Sequence, residues 1–228
     1  MAFDRAPDGT AKAQPNRAGA ATTLVLDAQG GAAALRPGQA PSKVVLAFTR
    51  GYSFDGRAVA ARCSDDQAKT DGCPARSRSG RGTVAYHVTG DPKQHTAAIG
   101  EFLAPRSHGA LGDVQFVVHD HDFNMIISSR GRLVRVASGP YGAELRFQFP
   151  APTLPSGVQL TIDRLTLRTG AHRTVTIHRR HHRSVRRTYN LVRNPPHCPS
   201  SHRWPVELRA TYGSETDGRD TDIICRAH

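Results

Sequence analysis

Residues 83–90, TVAYHVTG, place Val84, Tyr86 and Val88 on one side of the chain and Ala85, His87 and Thr89 on the other. A period of two marks an extended strand, whose successive side chains point to opposite faces. The same alternation returns at Leu24 and Leu26, at Val114, Phe116 and Val118, and at Phe123, Met125 and Ile127. It returns again at Leu145, Phe147 and Phe149, at Val175 and Ile177, at Tyr189 and Leu191, and at Val206, Leu208, Ala210 and Tyr212. KVVLAF (43–48) is a near-continuous apolar strand. About a dozen short strands separated by turn residues predict an all-β sandwich or barrel. Strands do not alternate with amphipathic helices, which argues against a Rossmann-like or α/β-barrel fold. The expected architecture is a single antiparallel β-sandwich over residues 21–228, with at most one short helix. Residues 1–20 lack periodicity and are expected to be a disordered lead-in.

Local patterns refine this expectation. Leu160 and Ile162 share one phase and Leu165 and Leu167 the opposite one. A one-residue shift flips every side chain, so a β-bulge is predicted at Asp163–Arg164. The three prolines of FPAPTLPSG (149–157) keep it out of a sheet interior and suggest a crossing between sheets. SRSGRG (77–82) and Asp91-Pro92 read as turns.

The four cysteines, Cys63, Cys73, Cys198 and Cys225, allow three pairings. Pairing neighbours in sequence, Cys63–Cys73 and Cys198–Cys225, brackets one local unit each. Closing those loops stabilises by roughly 3 and about 3.5 kcal/mol in the chain-entropy model. No C-x2-C pair is present, so a zinc site is not expected. Inside the first loop Ser64 is an acceptable N-cap with Gln67 at the capping-box position, and Gly72 is expected to end the turn. Asp65, Asp66 and Asp71 do not have EF-hand spacing and read as a solvated acidic helix start. Trp204 is expected to cover the Cys198–Cys225 bridge. Disulfides imply an oxidising compartment. Residues 1–20 carry no apolar leader core and no stretch has transmembrane length. Either a leader has been removed or left off the sequence, or the thiols are reduced and the protein is cytosolic; the expectation is a secreted or cell-envelope protein.

The formal net charge is +12, from 31 basic and 19 acidic residues, and only four of the basic ones are lysines. Arginine excess accompanies Ala, Gly and Pro, as in a G+C-rich coding sequence. Its clustering is more specific. HRRHHRSVRR (178–187) holds five arginines and three histidines at an expected hairpin tip. Arg179, Arg180, His181, His182, Arg183, Arg186 and Arg187 would make a local positive field suited to an anionic polymer, such as anionic cell-wall material. Aromatics for base stacking are absent from the tip, Tyr189 being nearest, so nucleic acid is not the expected partner. His119, Asp120, His121 and Asp122 contain metal-ligand types, but alternation splits them between two faces and they read as a polar turn. No nucleophile elbow, Walker A loop or dinucleotide fingerprint appears. Asp27, Glu101, Glu144 and Glu207 read as ordinary strand-face charges. No catalytic residue and no cofactor is indicated.

AVAARCSDDQAKTDGCPARSRSGRGT (58–83), GRLVRVASGPYGAELRF (131–147) and YNLVRNPPHCPSSHRWPVELRATYGSETDG (189–218) together resemble a group of exported proteins of unknown function from high-G+C Gram-positive bacteria. The shared features are Cys, a short acidic helix, Cys-Pro and a Ser-x-x-Gly-x-Gly segment, then Asn-Pro-x-x-Cys, a tryptophan, a strand and a closing Cys. The resemblance spans about residues 22–226. It implies a secreted β-rich domain and supplies no catalytic residues. The leading functional expectation is a non-enzymatic extracellular or envelope-associated module, structural or adhesive, binding anionic polymer through the basic hairpin. The alternative is a secreted hydrolase with dispersed active-site residues. A Ser–His pair or convergent carboxylates in a pocket would distinguish it.

Overall fold

The computed structural model describes residues 8–29, 41–137, 139–148, 160–178 and 184–227. Its strands are β1 (Asp8–Gln14), β2 (Ala21–Gln29), β3 (Lys43–Thr49), β4 (Ser53–Phe54), β5 (Arg78–Val88), β6 (Asp91–Ala104), β7 (Gly112–Asp120) and β8 (Met125–Arg135). They continue as β9 (Tyr141–Gln148), β10 (Leu160–Thr169), β11 (His172–His178), β12 (Ser184–Asn190), β13 (Val192–Arg193), β14 (Arg203–Tyr212) and β15 (Glu215–Ile224). One short helix, α1 (Asp65–Lys69), lies between β4 and β5.

The fold is the all-β antiparallel sandwich that the alternation predicts. Its layers are two halves of one 13-stranded sheet, ordered β15-β14-β3-β9-β8-β7-β6-β5-β10-β2-β13-β4, with β1 also on β2. The sheet curls until its ends meet. β1 runs against β15, and Arg17 and Arg226 form a parallel bridge there. Leu26 and Leu167 from one half therefore share a core cluster with Leu46, Phe48, Val206 and Ile223 from the other. A separate two-stranded sheet, β11–β12, pairs from His172↔Asn190 to His178↔Ser184.

Several local expectations are met. The register of β10 against β5 shifts between Ile162 and Arg164, which turns Leu165 and Leu167 to the core alongside Ile162. Both halves of the capping box form, with Ser64 Oγ accepting from the Gln67 amide and Gln67 Oε1 from the Ser64 amide. Cys63–Cys73 and Cys198–Cys225 are bonded pairs. Trp204 is buried in the cluster that contains Cys198 and Cys225, donates to the His197 carbonyl at 3.1 Å, and sits edge-on to Tyr52.

Others are corrected. The lead-in expected over 1–20 contains β1, in register with β2 from Asp8↔Gln29 to Gln14↔Thr23, and buries Ala13 and Ala18. Backbone pairing holds this strand, and its small side chains left no apolar pattern to read. SRSGRG does not turn as a whole: Arg78 to Gly82 lie in β5. Its glycines admit neighbouring backbone, since a Cβ on Gly82 would lie 2.0 Å from the Thr166 carbonyl oxygen. Asp91 and Pro92 already belong to β6, and the turn before them is made at Gly90, with φ 87°. After α1 the left-handed residue is Asp71, with φ 53°, while Gly72 donates to the Gln67 carbonyl. The crossing expected at FPAPTLPSG (149–157) lies outside the described residues.

Candidate functional site

Curling one sheet over itself makes an interior. Between the two halves lies a cavity of about 440 Å³. Its walls are Leu24 and Leu26 of β2, Leu46 and Phe48 of β3, Leu103 of β6, Val114 of β7, Leu133 of β8, Leu145 of β9, Leu167 of β10, Val206 of β14 and Ile223 of β15. These are the inward residues of the alternating strands, so the periodicity that folds the chain also makes this lining apolar.

Among the inward strand residues of the wall, Glu101 is the acid that breaks the apolar run. The inward phase of β6 runs His95, Ala97, Ile99, Glu101, Leu103, and Glu101 is 1% exposed. Ser79 Oγ donates to Glu101 Oε1 at 2.9 Å, and Thr169 Oγ1 donates to Oε2. No cation pairs with it among the described residues. Burial pushes its carboxyl up to about 7, against the pull of the Thr169 and Ser79 hydroxyls. Space for it depends on Gly80, where a Cβ would lie 2.6 Å from Glu101 Oε2. Glu101 is thus not the strand-face charge expected from sequence. Its phase, shared with Ile99 and Leu103, was the signal.

At the cavity edge the chemistry turns basic. The Asp55–Gly56–Arg57 turn, Arg62 and Arg106 all contribute to the lining. Asp55 holds Arg57 through two parallel hydrogen bonds of 2.9 and 2.7 Å. Among the described residues Arg62 donates only to carbonyls, Ala61 at 2.8 Å and Gly56 at 2.9 Å. No carboxylate pairs with Arg62 or Arg106 among the described residues.

The outer face of β6 and β7 is built differently. The Cys63–Cys73 loop lays α1 there, and Ala68 packs with Cys63, Phe102 and Val117 in a second small core. Asp113 on that face takes Arg130 Nη2 at 2.8 Å and the Ser107 amide at 2.9 Å, while Arg130 also reaches Asp65 at 2.9 Å. Burial works to raise Asp113, but the hydrogen bonds from Ser107 and Arg130 outweigh it and hold the carboxyl below its ordinary value.

The remaining sequence candidates are dispersed. The HDHD segment ends β7 and opens its turn, as expected. Its members touch one another, with the Asp122 amide donating to Asp120 Oδ1 at 2.9 Å and the His119 and His121 ring centres 4.1 Å apart, but their further partners differ. Asp120 accepts from Tyr86 Oη, Asp122 meets His95 Nδ1 at 2.7 Å, and His119 meets Asp71 at 2.9 Å. Asp91 reaches the other nitrogen of His95 at 3.0 Å, and the two acids, Asp122 foremost, hold the imidazole above its ordinary pKa. Among the described residues no group of three or more metal-ligand side chains has metal-holding geometry. Ser184 Oγ and His178 Nδ1 are 2.9 Å apart, a pair of the hydrolase type, but both are exposed on the β11–β12 hairpin and neither lines the cavity. Glu101 and Asp113 both touch the cavity lining, yet Glu101 stands opposite Phe116 and Asp113 opposite Ala104 across the β6–β7 ladder, on opposite faces. They do not converge as paired catalytic carboxylates.

Of the basic-hairpin residues, Arg186 and Arg187 lie exposed on β12, with the Arg187 guanidinium 5.2 Å from the Tyr189 ring centre. Arg179, Arg180, His181, His182 and Arg183 lie outside the described residues. No helix among the described residues is long and apolar enough to cross a membrane. No protein-family model, curated protein or solved structure matches the chain.

Proposed function

We propose that the chain is a non-enzymatic binding module of an extracellular or envelope compartment, and that its cavity holds an apolar small molecule. The observation that carries this reading is the mostly apolar cavity of about 440 Å³ lined by both halves of the sheet. Small-molecule sites span roughly 300–1,000 Å³ and are mostly apolar with a few placed polar groups. A core built for stability alone is close-packed, because each void forfeits contacts. The two disulfides support the compartment. Titration with the uncharged fluorophore N-phenyl-1-naphthylamine should give a saturable rise in emission. Ala11→Phe, which adds bulk from β1 at the cavity wall, should weaken that binding about tenfold, or ~1.4 kcal/mol. Leu145→Phe provides the same test from the opposite wall. Absence of saturable binding to the folded protein would end this reading.

A second reading has its own observation. The β11–β12 hairpin is separate from the large sheet, and Arg173, Arg186 and Arg187 on it are exposed. We propose that it adheres to an anionic polymer. Replacing Arg179, Arg180, Arg183, Arg186 and Arg187 by serine should weaken retention on a polyanion column at low salt without lowering the melting temperature. Unchanged retention removes the proposal.

A further inference from the structure

Resting on the cavity reading, we infer that the occupant is an amphiphile with an anionic head, its tail among the leucines and its head at Arg62 and Arg106. The apolar wall explains only a tail. The edge of the same cavity is where charge is left over. Arg57 is neutralised by Asp55, and Asp113 is taken by Arg130. Arg62 and Arg106 remain exposed at the lining with no carboxylate beside them among the described residues. The Arg62 guanidinium is held in place by the Ala61 and Gly56 carbonyls, so ordering it costs a ligand little. It also stands over the apolar wall, since the Cβ position of Gly56 lies 3.2 Å from Arg62 Nη2 and 3.8 Å from Leu103 Cδ1. Head-group and tail contacts are therefore adjacent. A planar guanidinium donates two parallel hydrogen bonds to a carboxylate or a phosphate, and such charge-assisted bonds are the strong ones.

Glu101 is the competing anchor, because an uncompensated buried carboxyl would instead favour a cationic head. Burial, acting against its hydroxyl partners, leaves it largely neutral below pH 7, where it neither repels an anionic amphiphile nor holds an ammonium strongly.

Three competitors with the same tail separate these outcomes: dodecanoate, dodecanol and dodecyltrimethylammonium, each displacing N-phenyl-1-naphthylamine from the full chain at pH 6.5. Dodecanoate should act at about tenfold lower concentration than dodecanol. The gap should narrow as salt is raised. Arg62→Gln combined with Arg106→Gln should bring dodecanoate to the level of dodecanol and leave dodecanol unchanged. Arg106→Gln alone, which removes no hydrogen bond or ion pair among the described residues, keeps the test open if the Arg62 change disturbs the Gly56 turn. Equal displacement by all three, or a preference for the ammonium, overturns the head-group assignment while the cavity reading stands. If the fluorophore itself does not bind, both readings fall.

Discussion

Glu101 and Asp113 lie on neighbouring strands, three rungs apart, and each is 1% exposed. Their carboxyls nevertheless shift in opposite directions. Glu101 faces the cavity and meets only hydroxyl donors, which do not offset its desolvation, and burial carries it up to about 7. Asp113 faces the α1 side and meets a guanidinium and a backbone amide, which do offset it. Both are shut off from solvent, but Glu101 lies deeper and has no cation beside it among the described residues, whereas Asp113 has Arg130, so depth and partner together set the sign. One strand pair thus keeps a neutral, apolar inner face and a charged, cross-linked outer one.

The largest expected effect breaks the inner half of this comparison. Glu101 keeps its proton in the folded state up to about 7, whereas the unfolded chain releases it near 4.5. Between those values the folded protein binds more protons, so stability falls as pH rises, by about 3 kcal/mol in all. Glu101→Gln should remove that component from urea-unfolding profiles taken across the window. A wild-type profile no steeper than that of the variant would refute the assignment.

Next in size is the outer half. Arg130→Leu leaves Asp113 buried without its guanidinium. Such losses run to ~3–5 kcal/mol for fully buried pairs, and the partial exposure of Arg130 brings the expected cost to about 2 kcal/mol. Chemical denaturation at pH 7 measures it, and a change within error would show that α1 and Ser107 suffice to hold that face.

The smallest effect sharpens the comparison at a third buried group. His95 is flanked by Asp122 and Asp91, both held below the ordinary carboxylate range. Its folded pKa lies above 6.5, so its contribution is complete below 6.5 and is lost as pH rises through the raised value. On the acid side the contribution fails as pH drops through the lowered values of the two aspartates. NMR titration of the His95 ring should give a midpoint above 6.5, and a lower one would contradict the geometry.

What could be read from sequence was what is decided locally. Ser64 and Gln67 are three residues apart, and their capping box depends on nothing else in the chain. The phase change between Ile162 and Leu165 is likewise internal to one strand. The curl of the sheet depends on β2 lying beside β10 and β3 beside β9, pairings of long sequence separation with no local mark. The glycines at 80 and 82 read as turn formers because the backbone and side chain they make room for, at Arg168, Thr166 and Glu101, belong to other strands. Of the candidate site, the phase that turns Glu101 inward was visible between Ile99 and Leu103, while the cavity it faces was not.

The join where β1 meets β15 has one further consequence. Elsewhere around the ring, each strand is fastened to its neighbours by a ladder, whereas this join is held just beyond the two strands by the Arg17–Arg226 bridge, with Ala18 donating to the Arg226 carbonyl at 3.2 Å and Arg226 to the Asn16 carbonyl at 2.9 Å. Parting the wall there breaks few backbone hydrogen bonds among the described residues, so local opening is expected along that line. Backbone hydrogens beside it should trade with deuterated solvent well before those of β6 and β7, because the two ends of the fabric are only tacked together there.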